Sequence, residues 1–318
     1  MSEAGEADPG RELNNKIERA RAGDARAVAR LISLVENGAA ELRPIMKALA
    51  PLTGNARVIG LTGAPGVGKS TVTGALIGAY REQGRRVGVL AIDPSSPFTG
   101  GALLGDRIRM QDHATDRGVF IRSMGSRGHL GGLSAATPQA LRVLDAAGCD
   151  VVLVETVGVG QAEVEIASLA DTTLVAVAPG MGDAIQAAKA GILEAADVFV
   201  VNKADKPGAQ ETVRDLRTML AMAERPAGSW KPPIVSTTAT AKEGIDELVE
   251  RIGAHGDWLA ASGERDRRRR KRAGEEIAAH AVQHQLSALD PLDQRVDAVV
   301  VDAALHAVRA PHAVRRPA

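Results

Sequence analysis

One stretch, GAPGVGKS at residues 63–70, limits what this chain can fold into more than any other. It fits G-x-x-x-x-G-K-[ST], with the apolar run RVIGLT (57–62) before it and a helical pattern over 69–83 after it. Gly63, Gly66 and Gly68 let the backbone wrap closely, so that its N–H groups can meet phosphate oxygens. Ala64, Pro65 and Val67 complete the loop, and Thr71 follows it. Lys69 supplies a compact positive charge for β- and γ-phosphates. Ser70 supplies a hydroxyl for Mg²⁺, and the helix adds its positive dipole end.

Apolar runs recur along the chain at 57–62, 87–92, 119–121, 151–156, 172–178, 197–202 and 233–238. Most are near-continuous Val, Ile and Leu, as suits strands buried on both faces. Helical patterns over 69–83, 134–147, 183–195 and 208–224 separate many of them. The alternation predicts an α/β fold, a P-loop NTPase with a mostly parallel central sheet flanked by helices. Helical patterns over 11–35 and 41–49 precede the first strand, and others follow residue 245. Three parts are expected: an N-terminal helical extension (1–52), a P-loop domain (53–260) and a C-terminal helical dimerisation segment (261–318).

In such folds ligands occupy the crevice beyond the carboxyl ends of the strands, where the remaining motifs fall. The run 197–202 leads into NKAD (202–205). In this motif the Asp205 carboxylate accepts from guanine N1–H and N2–H₂, a donor pair that adenine lacks, so GTP is favoured over ATP. Lys203 is expected to lay its stem along the base, and Asn202 to tie neighbouring loops together. Thr238 and Ala239 have the spacing of a backbone contact to the guanine oxygen. Glu155 ends the run at 151–156, and E-x-x-G places Gly158 three residues on. Glu155 is expected to reach Mg²⁺ through a water, and the Gly158 N–H to touch the γ-phosphate. Asp93, before Pro94-Ser95-Ser96-Pro97, is expected across the crevice, in the Mg²⁺ shell or orienting the attacking water. Asp106 is a further candidate Mg²⁺ ligand. Lys69, Asp93 and Glu155 are thus the expected catalytic groups.

These residues converge on a resemblance. GAPGVGKST (63–71), DPSSPFTGGALLGDRIRM (93–110), RGHLGGLS (127–134), ETVGVGQAEVEI (155–166), PGMGDAIQAAKAGILEAAD (179–197) and NKAD are similar to the MeaB/ArgK GTPases over roughly residues 10–290. The resemblance implies GTP and GDP as ligands and a chaperone role toward an adenosylcobalamin-dependent acyl-CoA mutase, chiefly methylmalonyl-CoA mutase. It also implies a homodimer joined by C-terminal helices, Mg²⁺ and switch roles for Asp93, Asp106 and Glu155, and a further switch at 179–189 that includes Lys189. The ending at 296–318 and Thr238 depart from the family pattern. No arginine is placed to serve the transition state, which predicts slow hydrolysis alone and faster turnover with the mutase bound.

Composition narrows the alternatives. Lys plus Arg equals Asp plus Glu at 39 each, so no global field draws the chain to nucleic acid. Two Trp, one Tyr and three Phe are too few for a platform on which bases stack. Cys149 is the single cysteine, which excludes a thiolate-rich metal site within one chain. No apolar run approaches about 18 residues, and the acidic start MSEAGEADPG is not secretory, so a cytoplasmic location is expected. The basic run at 267–272 reads as a solvated helix face balanced by Glu275 and Glu276. His280 and His284, one turn apart, read as surface or dimer contacts. Two rival functions keep the phosphate loop, one a GTPase inserting nickel and the other a kinase of a transport-related binding protein.

Overall fold

The computed structural model describes residues 9–37, 42–93, 113, 115–125, 136–156, 162–180, 195–223, 226 and 228–287. The chain divides into two compact units, Met1–Trp258 and Leu259–Ala318.

The first unit is built on a seven-stranded sheet in the order β3-β2-β4-β1-β5-β6-β7. Its strands are β1 (Arg57–Thr62), β2 (Val87–Asp93), β3 (Val119–Gly125), β4 (Val151–Glu155), β5 (Thr172–Val177), β6 (Val198–Asn202) and β7 (Ile234–Thr237). Every pairing is parallel. The strands therefore end along one edge, and register aligns residues at or near their ends: Leu61 with Glu155, Ala91 with Glu155, and Asn202 with Thr237.

Period-2 alternation sends neighbouring strand residues to opposite faces. Ile59, Leu61, Val87, Val89, Val151 and Leu153 share one core with Val72, Leu76 and Ile77 of α4 (Lys69–Glu82), and with Leu248 and Ile252. Val58, Leu90, Ile92, Val152 and Val154 face the other way, into a core shared with the N-terminal helices α1 (Pro9–Arg21), α2 (Ala25–Glu36) and α3 (Leu42–Leu49). That core also includes α5 (Thr137–Ala146) and α6 (Ala162–Leu169). A smaller core joins Val175, Phe199 and Val201 to α7 (Ala209–Met222).

The helical pattern over 11–35 is divided into two helices. Gly23 takes φ +91°, and Asp24 caps α2 by accepting from the N–H groups of Arg26 and Ala27. Left-handed backbone followed by a side-chain N-cap ends one helix and starts the next. The cap is reinforced by Arg19, whose guanidinium is the main reason the Asp24 carboxyl sits below its ordinary pKa.

Opposite the ligand edge, three aspartates just before strands each close on the neighbouring strand twice. Asp150 donates its N–H to Arg86 O (2.8 Å) and accepts from Arg86 N (2.7 Å). Asp171 does the same with Val58 (2.8 and 3.1 Å), and Asp197 with Thr173 (2.9 and 2.8 Å). The side chain replaces the ladder partner that the strand end lacks.

Helix α8 (Ile245–Ala261) crosses the boundary between units, and α9 (Glu264–Ser287) lies in the second. Gly263, at φ +71°, precedes α9. Within α9, Arg267 and Arg268 both reach Glu264 (2.6 and 3.2 Å), and Lys271 approaches Glu275 at 3.8 Å. The expectation of balance from Glu275 and Glu276 missed Glu264, an acid at the positive end of the helix. The side chains of His280 and His284, and residues 296–318, lie outside the described residues.

Candidate nucleotide site

The phosphate loop turns between β1 and α4 on three glycines with left-handed backbone, Gly63 (φ +138°), Gly66 (+80°) and Gly68 (+93°). Two of them have a second constraint. A Cβ on Gly63 would lie 2.1 Å from Ala176 O, and one on Gly68 would lie 2.5 Å from Asn202 Nδ2. The loop is pressed against β5 on one side and the end of β6 on the other.

Lys69 opens α4 and is 9% exposed, its ammonium donating to Gly63 O (2.7 Å) and Ala64 O (3.2 Å). Ser70, also buried, donates to Glu155 Oε1 at 2.8 Å. Thr73, one turn further along α4, donates to Glu155 Oε2 at 3.0 Å. The sequence reading missed Thr73. Its signal is a hydroxyl three residues after Ser70, on the same helix face. Next to Glu155, Thr156 donates from its hydroxyl to Thr62 Oγ1 at 3.1 Å and from its N–H to Leu61 O at 3.2 Å. Those bonds fix the exit of β4 to the residue before the phosphate loop.

The NKAD end of β6 reaches the same loop. Asn202 Nδ2 donates to Val67 O (2.9 Å), while its Oδ1 accepts from Thr237 Oγ1 and Ala239 N (both 3.2 Å). Asn202 therefore ties the phosphate loop to the loop after β7, as its motif predicts. Lys203 takes φ +58°, rare for a side chain of this length, and its ammonium donates to Gly66 O at 2.7 Å. Asp205 is half-exposed and lies 3.5 Å from Lys206. Thr238 pairs with Glu243 in an antiparallel bridge and leads into the short turn Ala239–Ala241.

The described part of the site thus gathers Gly63, Ala64, Gly66, Val67, Gly68, Lys69, Ser70, Glu155, Asn202, Lys203 and Ala239 through direct contacts. Pro65 and Thr71 are exposed positions of the same loop and helix start. The Asp93 backbone ends β2 in register with Gly125, but its side chain is outside the described residues, as are Asp106, Gly158, His129 and Lys189.

A backbone cradle, a lysine at its floor, a hydroxyl–carboxylate pair and an N-K-x-D turn along one parallel edge can bind a nucleoside triphosphate and shield its terminal phosphates. Residues 28–290 match the family described as "Methylmalonyl Co-A mutase-associated GTPase MeaB". The chain belongs to the MeaB family. It is accordingly a P-loop GTPase that binds GTP and GDP and hydrolyses GTP. Relatives agree. A protein of Pyrococcus abyssi named as a GTPase is 55% identical over 268 residues, covering 83% of this chain and 82% of its own. GTPase ArgK of Escherichia coli is 39% identical over 284 residues, covering 84% and 86%. The mouse protein named methylmalonic aciduria type A homolog, mitochondrial, is 37% identical over 209 residues, covering 65% of this chain and 50% of its own. The crystal structure of a protein named LAO/AO transport system kinase superposes with a TM-score of 0.71 at 28% identity, covering 94% of this chain and 95% of that one.

Proposed function

We propose that this MeaB-family GTPase serves as a chaperone of an adenosylcobalamin-dependent acyl-CoA mutase, with methylmalonyl-CoA mutase as the first candidate. GTP binding and hydrolysis would gate cofactor loading and protect or reactivate the mutase. The observation that carries this reading is the match to a mutase-associated family over residues 28–290. The name of the mouse relative, which refers to methylmalonic aciduria, points the same way. The working form is a cytoplasmic homodimer, with 1–52 as a helical extension, 53–260 as the GTPase domain and 261–318 as the dimerisation segment.

Within the site, Lys69 neutralises charge on the β- and γ-phosphates, and the loop N–H groups of residues 63–71 hold them. Asp205 reads guanine, Lys203 flanks it, Asn202 holds the loops together, and the Thr238–Ala239 backbone meets the guanine oxygen. Gly158 senses the γ-phosphate. The donor set suits Mg²⁺: Ser70 Oγ is a hard oxygen ligand, and the Glu155 carboxylate 2.8 Å away would hold the ion through a water, both residues being buried at the foot of the phosphate loop. Asp93 and Asp106 complete the proposed set. When bound, Mg²⁺ neutralises charge developing between the β- and γ-phosphates.

The test is GTP turnover by the full chain with and without purified methylmalonyl-CoA mutase, together with capture of the mutase in a non-hydrolysable GTP analogue. Faster turnover and nucleotide-dependent capture are expected. Turnover and capture indifferent to every adenosylcobalamin-dependent mutase tried would end this reading. A second reading, phosphoryl transfer to a protein hydroxyl, draws on the name of the solved relative, a kinase. Labelled phosphate appearing on a protein instead of in solution would favour it.

A further inference from the structure

We propose that Thr73 is a positioning residue for the metal-side carboxylate, holding Glu155 in one orientation while Ser70 changes partner. The inference rests on the proposed Mg²⁺ site and deepens it.

Glu155 is 3% exposed, so its oxygens depend on protein donors. Each oxygen receives a hydroxyl from a different turn of α4: Oε1 from Ser70 (2.8 Å) and Oε2 from Thr73 (3.0 Å). Two donors on two oxygens fix the carboxylate plane, and loss of either loosens its hold about the last side-chain bond. The two hydroxyls have different duties. Ser70 occupies the phosphate-loop position whose oxygen turns to Mg²⁺, and a hydroxyl with one proton must then rearrange its bond to Oε1. Thr73 has no place in the phosphate-loop motif.

A helical threonine commonly spends its hydroxyl proton on a carbonyl three or four residues back in its own helix. Thr73 instead reaches across to β4. Thr73 is itself 1% exposed, so water does not compete for that proton. Thr73 therefore keeps Oε1 facing the space shared with Ser70 in both states of that serine.

The experiment compares wild type, Thr73→Val, Thr73→Ala and Thr73→Ser. GDP affinity is measured in EDTA and across a Mg²⁺ titration, and melting temperatures are measured without nucleotide. A hydrogen bond to a charged group is worth about 1.5–3 kcal/mol, or about 10–100-fold. Thr73→Val and Thr73→Ala are expected to raise the Mg²⁺ concentration at half-effect by about tenfold or more. Affinity in EDTA should stay within about twofold, and Thr73→Ser should restore the wild-type midpoint. Thr73→Ala removes the hydroxyl without adding bulk and decides the matter if Thr73→Val does not fold. An unchanged Mg²⁺ midpoint in the hydroxyl-free variants, or equal loss with and without Mg²⁺, would overturn the proposal while leaving the nucleotide site intact. Wild-type GDP binding that ignores Mg²⁺ would overturn both the proposal and the Mg²⁺ site.

Discussion

Gly63 shows how little freedom single residues have in this site. Its backbone is left-handed, and any side chain would press a carbon onto the Ala176 carbonyl, which belongs to the interior strand β5 and cannot move cheaply. Gly63→Ala is expected to cost about 1–3 kcal/mol of stability from backbone strain alone, and to weaken GDP binding because the loop must open. Thermal melting and nucleotide titration of the variant check both; wild-type values in each would contradict the close approach. Asn202 is constrained in another way. Its amide makes three bonds, one to the phosphate loop and two around β7, so the phosphate loop and the loop after β7 share one side chain. Lys203 adds a second tie through Gly66 O.

Elements are held at the other edge of the sheet by aspartates. Asp171 is 3% exposed and accepts the Val58 N–H, at the start of the strand that delivers the phosphate loop. Asp171→Ala would leave a buried N–H without that acceptor and should destabilise the fold by about 1–3 kcal/mol, measured by urea unfolding; an unchanged midpoint would refute it. Much at this scale was legible in advance. Apolar runs gave the seven strands because buried parallel strands need no polar face. The strand–loop–helix order around residues 57–83 and the strand-end positions of Glu155 and Asn202 followed. Helix limits were less legible: periodicity over 11–35 could not see that Gly23 and Asp24 form a break and a cap. α6, which starts inside the ETVGVGQAEVEI block and runs past it to Leu169, passed unnoticed. Partners that depend on packing between distant segments were also invisible, among them Thr73 on Glu155, Thr62 on Thr156 and Lys203 on Gly66.

At the scale of the whole molecule, the sheet turns scattered motifs into neighbours. Residues 63–70, 155 and 202–205 are far apart in sequence, but β1, β4 and β6 end on one edge, and hydrogen bonds join the ends of β4 and β6 to the phosphate loop and its helix. The N-terminal helices cover one face of that sheet and share its core, so the nucleotide edge is backed by packing from both faces. No helix among the described residues is long and apolar enough to cross a membrane. The site assignment stands on a single nucleotide being held at its phosphates by Lys69 and Ser70 and at its base by Asp205. Calorimetric titration of wild type and Asp205→Ala with GDP and with ADP, in Mg²⁺, tests it directly. Wild type should prefer GDP by at least about a hundredfold, as expected of a donor pair matched by a carboxylate, and Asp205→Ala should lose most of that preference by weakening GDP alone. Equal affinity of the wild-type protein for GDP and ADP, or a preference that survives loss of the Asp205 carboxylate, would contradict it.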